Sequence, residues 1–160
     1  MRLPLIHQKQ SIMQQRINIL QNVPAAYTAQ SAMEKYVSTT SLTPIEKELI
    51  KIRASQINGC AFCLNMHTVD ARKIGETEQR IYLLNAWRET DLYTETERII
   101  LALTEEVTLI SKAGVSDNTY ETAVQLLGEQ KLAEVIMAII CINGWNRIAI
   151  STQQPVAKAK

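Results

Sequence analysis

Glycine and proline are scarce in this chain, five and four among 160 residues, and phenylalanine occurs once. A fold of many short strands needs many tight turns, and turns draw on those residues. The composition therefore argues against a strand-rich fold. Charge of one sign is missing too: 17 Lys and Arg stand against 16 Asp and Glu, a formal net charge of +1. No field is available to gather nucleic acid or an anionic membrane surface, so neither is expected as a partner. Long hydrophobic runs are absent. The longest, VIMAIICI at 135–142, falls far short of the ~20 residues that span a bilayer and reads as a buried helix. The opening MRLPLIHQKQSIMQQ is interrupted by His7, Gln8 and Lys9 before a secretory apolar segment can form. His7 and the terminal Lys158 and Lys160 read as solvated side chains near loose ends. The chain is expected to be soluble and cytoplasmic. Three cysteines do not make a disulfide scaffold, and a Cys-x-x-Cys in a reducing compartment points to catalysis or metal instead.

What the chain has is Ala, Leu, Ile, Glu, Gln and Lys in long periodic segments, with 46% hydrophobic residues. This predicts one all-α domain over 1–160, large enough for its own core. In SLTPIEKELIKIRASQI, Thr43 is placed as N-cap, Pro44 at the first helical position and Glu46 as the closing member of a capping box. That helix is expected to reach about Gln56, with Ile45, Leu49, Ile52 and Gln56 on one stripe. Thr94 and Glu97 repeat the box before a stripe of Ile100, Leu103 and Val107. Ser116 caps a segment ending near Gly128. Further helices are expected from Pro24 to about Val37, between Thr77 and Trp87, and from about Glu129 to Ile150. Six or seven helices result. Their long apolar stripes exceed what so small a domain buries internally, which favours an oligomer. Two local echoes, LTPIEKELI with YTETERIIL and INGC with INGW, suggest either a weak internal repeat or recurring capping chemistry. The first pair aligns Glu48 with Ile99.

The chemistry concentrates in INGCAFCLNMHT at 57–68. If Asn58-Gly59 breaks a helix and a new one opens at Cys60, then Cys60, Cys63 and His67 fall within an arc of about 60° on one face. Unpaired N–H groups and the positive dipole end at a helix start stabilise a thiolate, the reactive form of cysteine. Cys60 is expected to be the more exposed sulfur and Cys63 the deeper one. Glu48 has Ile45, Leu49 and Ile52 as its helical neighbours, so it sits in an apolar stripe. There a carboxyl has a raised pKa unless it is paired. Beside a thiol it is a usable general base, although pairing with Lys51 at i+3 is the plainer alternative. From spacing alone the cluster fits a redox pair, a zinc site completed by a fourth donor, or small core residues. Cys141, inside IMAIICIN, reads as an inert core thiol.

Glu48, CAFC and His67, followed by DARKIGETEQRIYLLNAWRE, TETERIILALTEEVT and INGWNRIAI, resemble the carboxymuconolactone decarboxylase family, and within it the alkylhydroperoxidase AhpD-like core subgroup. The resemblance runs over about 42–150. It implies an all-α homo-oligomer, a dimer, trimer or hexamer, that needs no cofactor and no metal. It also implies a dithiol/disulfide cycle on Cys60 and Cys63, with proton transfer assisted by Glu48 and His67. The implied activity is reduction of organic or hydrogen peroxide at the expense of an external dithiol, in antioxidant defence. Cys63 is assigned the attack on peroxide and Cys60 the resolving step. An apolar pocket is expected, with Phe62, Leu64, Met66, Trp87 and Trp145 as candidate lining. The peroxidases of the family carry a second histidine immediately before the later cysteine; here Phe62 stands there, and that part of the relay is missing. The decarboxylase branch lacks the cysteine pair, so lactone decarboxylation is not expected. The rival readings are a general disulfide oxidoreductase or redox sensor, and a zinc-binding or structural oligomer.

Overall fold

The computed structural model describes residues 14–157 of the chain; His7, Lys158 and Lys160 lie outside them. Among the described residues the structure is all-helical: α1 (Ile19–Asn22), α2 (Pro24–Ser38), α3 (Pro44–Asn58), α4 (Ala61–Lys73), α5 (Glu78–Leu83), a 3₁₀ turn (Leu84–Glu89), α6 (Glu95–Thr108), α7 (Ile110–Ala113) and α8 (Asp117–Thr152). That is eight helices where six or seven were expected. The difference lies in α1 and α7, each one turn long, too short for apolar periodicity to register. The segment at 77–87 begins as α5 but tightens into the 3₁₀ turn.

Both predicted capping boxes form. The Glu46 N–H donates to Thr43 Oγ1 at 3.2 Å, and Glu46 Oε2 accepts from the Thr43 N–H at 2.8 Å. Thr94 and Glu97 repeat the arrangement with the same two distances. α8 carries the two helical segments expected around Gly128, which breaks the helical path with φ 73° and ψ 162°. This left-handed φ is the conformation that glycine tolerates.

α3 is the central helix, and its burial differs from the single stripe read from the sequence. One flank packs Ile50 and Ala54 with Val37, Ile100, Leu103, Val135, Ile139 and Ile142. The other packs Leu49 and Ile52 with Ala71, Ile81, Leu84, Trp87, Tyr93 and Leu101. A helix clasped on both flanks cannot tilt freely, so residues along it are fixed relative to α4, α6 and α8. Gln56 is not a core residue; its Oε1 accepts from Arg53 Nη1 at 3.0 Å. α8 is long and apolar enough to cross a membrane, but half of its most apolar stretch is buried against the other helices. It is the core helix that VIMAIICI predicted, with Val135, Ala138, Ile139, Cys141 and Ile142 all buried.

α2 packs closely on α8 at Gly144. A Cβ there would meet the Gln30 amide at 2.8 Å, and Gln30 Nε2 donates to the Cys141 carbonyl at 2.9 Å. The two INGx echoes do not have equivalent structures. Asn58-Gly59 ends α3, whereas Asn143-Gly144 lies within α8.

The Thr43 cap fixes where α3 begins, and hence the register of the helix at the centre of the fold. Thr43→Ala is expected to lower the unfolding free energy by about 1 kcal/mol, with Thr43→Ser close to wild type. Urea denaturation followed by circular dichroism reads this. An unchanged midpoint for the alanine variant would show that packing alone sets the start of α3.

Candidate functional site

α3 ends at Asn58, and Gly59 takes the left-handed conformation at φ 70° and ψ 34° as its C-cap. Its N–H returns to the Gln56 carbonyl at 3.3 Å, and the Cys60 N–H to the Ser55 carbonyl at 2.9 Å. This is the hydrogen-bonded C-terminal turn that glycine permits. Cys60 then stands at the N-cap of α4, with φ −86° and ψ 93°. Cys60, Cys63 and His67 lie on the inner face of α4, all buried. The expected exposure of Cys60 is not found: Cys60 is 1% and Cys63 2% exposed. The turn is folded so tightly onto α8 that the first sulfur enters the core cluster.

A cavity of about 440 Å³ opens onto this face. Cys63, His67 and Glu48 line it, and Cys60 does not. Its apolar wall is Tyr27, Phe62, Met66, Trp145, Ile148 and Ala149, and its polar wall adds Glu34, Lys51, Asp70 and Gln154. Tyr27 meets Trp145 edge-on, ring centroids 5.2 Å apart. Phe62, Met66 and Trp145 thus stand where expected. Leu64 and Trp87 do not. Leu64 follows Cys63 by 100° around α4 and packs on the other core cluster. Trp87 is held there by its Nε1–H, which donates to Glu105 Oε1 at 2.8 Å, and by the Arg88 and Arg98 guanidinium groups over its ring.

Glu48 is paired on two sides. Its Oε2 lies 2.9 Å from His67 Nδ1, and its Oε1 lies 3.4 Å from Lys51 Nζ. The relay contact and the plainer Lys51 pairing therefore coexist. A carboxylate only accepts, so Nδ1 carries the hydrogen in this contact and Nε2 is the ring atom left to exchange a proton. Lys51 also reaches Glu34 Oε1 at 2.8 Å, and Glu34 Oε2 accepts from the Cys141 thiol at 3.2 Å. Burial pushes Glu34 up, but the Lys51 hydrogen bond and charge outweigh it and hold Glu34 below the ordinary carboxylate range. Burial pushes Lys51 down, and the Glu48 and Glu34 carboxylates outweigh it and raise Lys51. Cys141, buried as expected, is pushed up to about 12 by burial and by Glu34. It is a thiol at neutral pH.

The vicinal pair behaves oppositely. Cys60 is held well below the ordinary thiol value. The Cys63 thiol, donating to it, is the main cause; burial opposes, and the Cys63 backbone N–H, the Asn146 side chain and the His67 charge assist. Neutral Cys60 makes no capping hydrogen bond; it is the ionised sulfur that these donors favour. Cys63 is raised, first by its hydrogen bond to Cys60, then by burial and by the Cys60 charge. The pair therefore gives up its first proton early and its second late, as coupled neighbours do.

Behind the sulfurs lies a buried amide network that the sequence reading did not single out. Asn58 Nδ2 donates to Asn143 Oδ1 at 3.0 Å and to Asn146 Oδ1 at 2.9 Å, which fixes the Asn146 amide. Its Nδ2 donates to Ser55 Oγ at 2.9 Å, and Asn146 and Ser55 both assist ionisation of the pair. The hint in the sequence was an Asn in each of INGC and INGW. No cluster of three or more His, Cys, Asp or Glu side chains among the described residues is arranged to hold a metal ion.

Residues 23–106 match the carboxymuconolactone decarboxylase family. The chain belongs to that family. The match begins upstream of the resemblance read from the sequence and takes in α2, which supplies Tyr27 and Glu34. The chain is 45% identical over 139 residues to YdfG of Bacillus subtilis, covering 87% of this chain and 95% of that one. A crystal structure from Agrobacterium tumefaciens, of a protein of unknown function named for AhpD and antioxidant defence, superposes with a TM-score of 0.88 at 39% identity. That match covers 91% of this chain and all of the other. The fold is therefore AhpD-like. The debrominase Bmp8 shares it with a TM-score of 0.74 at 18% identity, over 84% of this chain and 72% of that one. That likeness establishes the fold and leaves the reaction to the geometry of this site.

Asn146→Ala removes a donor that favours the thiolate, so Cys60 is expected to ionise at higher pH and to alkylate more slowly at neutral pH. Mass spectrometry after timed alkylation reads this; an unaltered profile would remove Asn146 from the site. A linked effect on stability follows. Below the ordinary thiol range the unfolded chain keeps both protons, while the folded pair has released one. The reduced protein is expected to gain stability as pH rises through the lowered Cys60 value toward the ordinary range, and to lose it as pH falls back through that value. Denaturant midpoints across that window, compared with Cys60→Ser, test the sign.

Proposed function

We propose that the protein is a thiol-dependent hydroperoxide reductase. The observation that carries this reading is the cavity wall on which Cys63, His67 and Glu48 meet, with a second sulfur at the start of the same helix behind it. Cys63 faces the cavity, so it is the attacking sulfur, although the resting charge of the pair sits on Cys60. The two are compatible, because Cys63 is the main donor that favours the Cys60 thiolate, so one proton shift between neighbours moves the charge. As peroxide approaches, that proton passes to Cys60. The Cys63 thiolate attacks the terminal peroxide oxygen and the O–O bond breaks. The departing alkoxide takes a proton held by the Glu48–His67 pair, giving an alcohol and a sulfenic acid on Cys63; the dithiol that later re-reduces the enzyme restores that proton. Cys60 then attacks that sulfur, and its proton leaves with the hydroxide as water. Two electrons have passed from the dithiol to the peroxide, and an external dithiol returns them by thiol–disulfide exchange. Phe62 brings no proton to this cycle, so the Glu48–His67 pair has to serve alone.

The setting proposed with this activity is antioxidant defence in the cytoplasm, where a reducing pool maintains the dithiol. A homo-oligomer is proposed as the working form. Met66 and Val69 on α4, and Ile140 and Ile150 on α8, are large apolar side chains at least 38% exposed, suited to a partner copy.

Peroxide consumption coupled to a small dithiol is expected for the wild type and lost in Cys63→Ser and Cys60→Ser. Glu48→Gln is expected to lower turnover by about 10²–10⁴-fold, the range of general acid–base assistance. Full activity in Cys63→Ser would overturn the assignment. A disulfide that cycles with dithiols without consuming peroxide would favour a disulfide oxidoreductase or sensor.

A further inference from the structure

The cavity has a chemical asymmetry that the redox cycle does not require. One side is aromatic and aliphatic. The other carries, among the described residues, three carboxylates (Glu34, Glu48 and Asp70), one ammonium, Lys51, and the His67 imidazole, which Glu48 engages. Lys51 is not free to greet an anion. Its Nζ is held at 2.8 Å by Glu34 and 3.4 Å by Glu48, and its side chain is 13% exposed. Drawing it toward an incoming carboxylate would loosen its contacts with the half-exposed Glu34 and the more deeply placed Glu48 together. Asp70 is paired with Lys73 at 2.8 Å, but both side chains are largely exposed and Lys73 does not line the cavity. That pairing is solvent-screened and weak. The cavity is thus negative on its polar side and already internally paired.

We infer that the cavity selects uncharged apolar reactants and rejects those bearing a carboxylate, with Glu34 and Asp70 as specificity-determining residues. This rests on the hydroperoxide reading for the identity of the reactive group; the charge selection does not. Neutral aryl-alkyl or esterified lipid hydroperoxides fit: the aromatic wall receives the body, and the acids repel an anionic tail. Glu34 contributes twice, through its own charge and by holding Lys51 away from incoming anions.

Two alkylating agents that share a leaving group and differ in charge provide a test independent of peroxide. Iodoacetamide and iodoacetate are compared on reduced protein at low ionic strength, with Cys63 modification read by peptide mass spectrometry. The rate ratio is expected to favour iodoacetamide at least tenfold more than it does on a free small thiol. Glu34→Gln and, separately, Asp70→Asn should each narrow the ratio severalfold. A ratio equal to that of the free thiol, or one that neither variant moves, overturns the inference. In the second arm, kcat/KM for a fatty acid hydroperoxide and its methyl ester is expected to favour the ester by a comparable factor, and equal values also overturn it. Charge selection by the alkylating agents without turnover of any hydroperoxide would remove the peroxidase reading and support a cavity for neutral ligands.

Discussion

The reversal at Gly59 is what the site depends on. A left-handed residue at φ 70° ends one helix and starts the next almost at once, so α3 and α4 lie against each other. Three consequences share that cause. Cys60 lands at a helix N-terminus, where N–H groups lack partners. Cys63 and His67 follow on the same face. His67 is brought back along α3 until it meets Glu48. A residue with a Cβ at position 59 would meet no neighbour, so the requirement there is conformational and not spatial. The anchoring of the turn to α8 through Asn58 then holds Cys60 within the core, while Cys63 faces the cavity.

Burial and charge compete throughout the site, and which wins differs by residue. At Glu34 and Lys51 the pairing outweighs desolvation, and both stay ionised. At Cys141 no cation offsets the adjacent Glu34 strongly enough, and the thiol stays neutral. At the vicinal pair a single negative charge is shared unevenly, because Cys60 receives donors that Cys63 provides. Accessibility and ionisation are thereby separated: the sulfur that is easiest to ionise is not the one that faces the cavity.

The sequence made much of this readable, and what it hid has a common reason. Capping boxes are local, so Thr43, Glu46, Thr94 and Glu97 were visible as helix starts. The spacing of Cys60, Cys63 and His67 is also local, and Glu48 stood out as an acid in an apolar stripe. Glu34, Lys51 and Tyr27 reach the cavity only through tertiary packing, and no periodicity announces that. Trp87 has the composition of a pocket residue, but an ion cluster around Glu105 fixes it elsewhere. Cys60 departs from the exposure its position suggests because a helix start is usually wet, and here the core cluster that includes α8 covers it. Asn143 reads in the sequence as one letter of a repeated phrase and Asn146 carries no local signal; the roles of both emerge only through their bonds to Asn58.

Gly144 has a bearing beyond the local contact it permits. A methyl group there would press on the Gln30 amide at 2.8 Å, and Gln30 could yield only by releasing its hold on the Cys141 carbonyl. Gln30 is carried by α2, the helix that also brings Tyr27 and Glu34 to the cavity. The polar tie between α2 and α8 therefore depends on the absence of a side chain at a point with no reactive chemistry of its own.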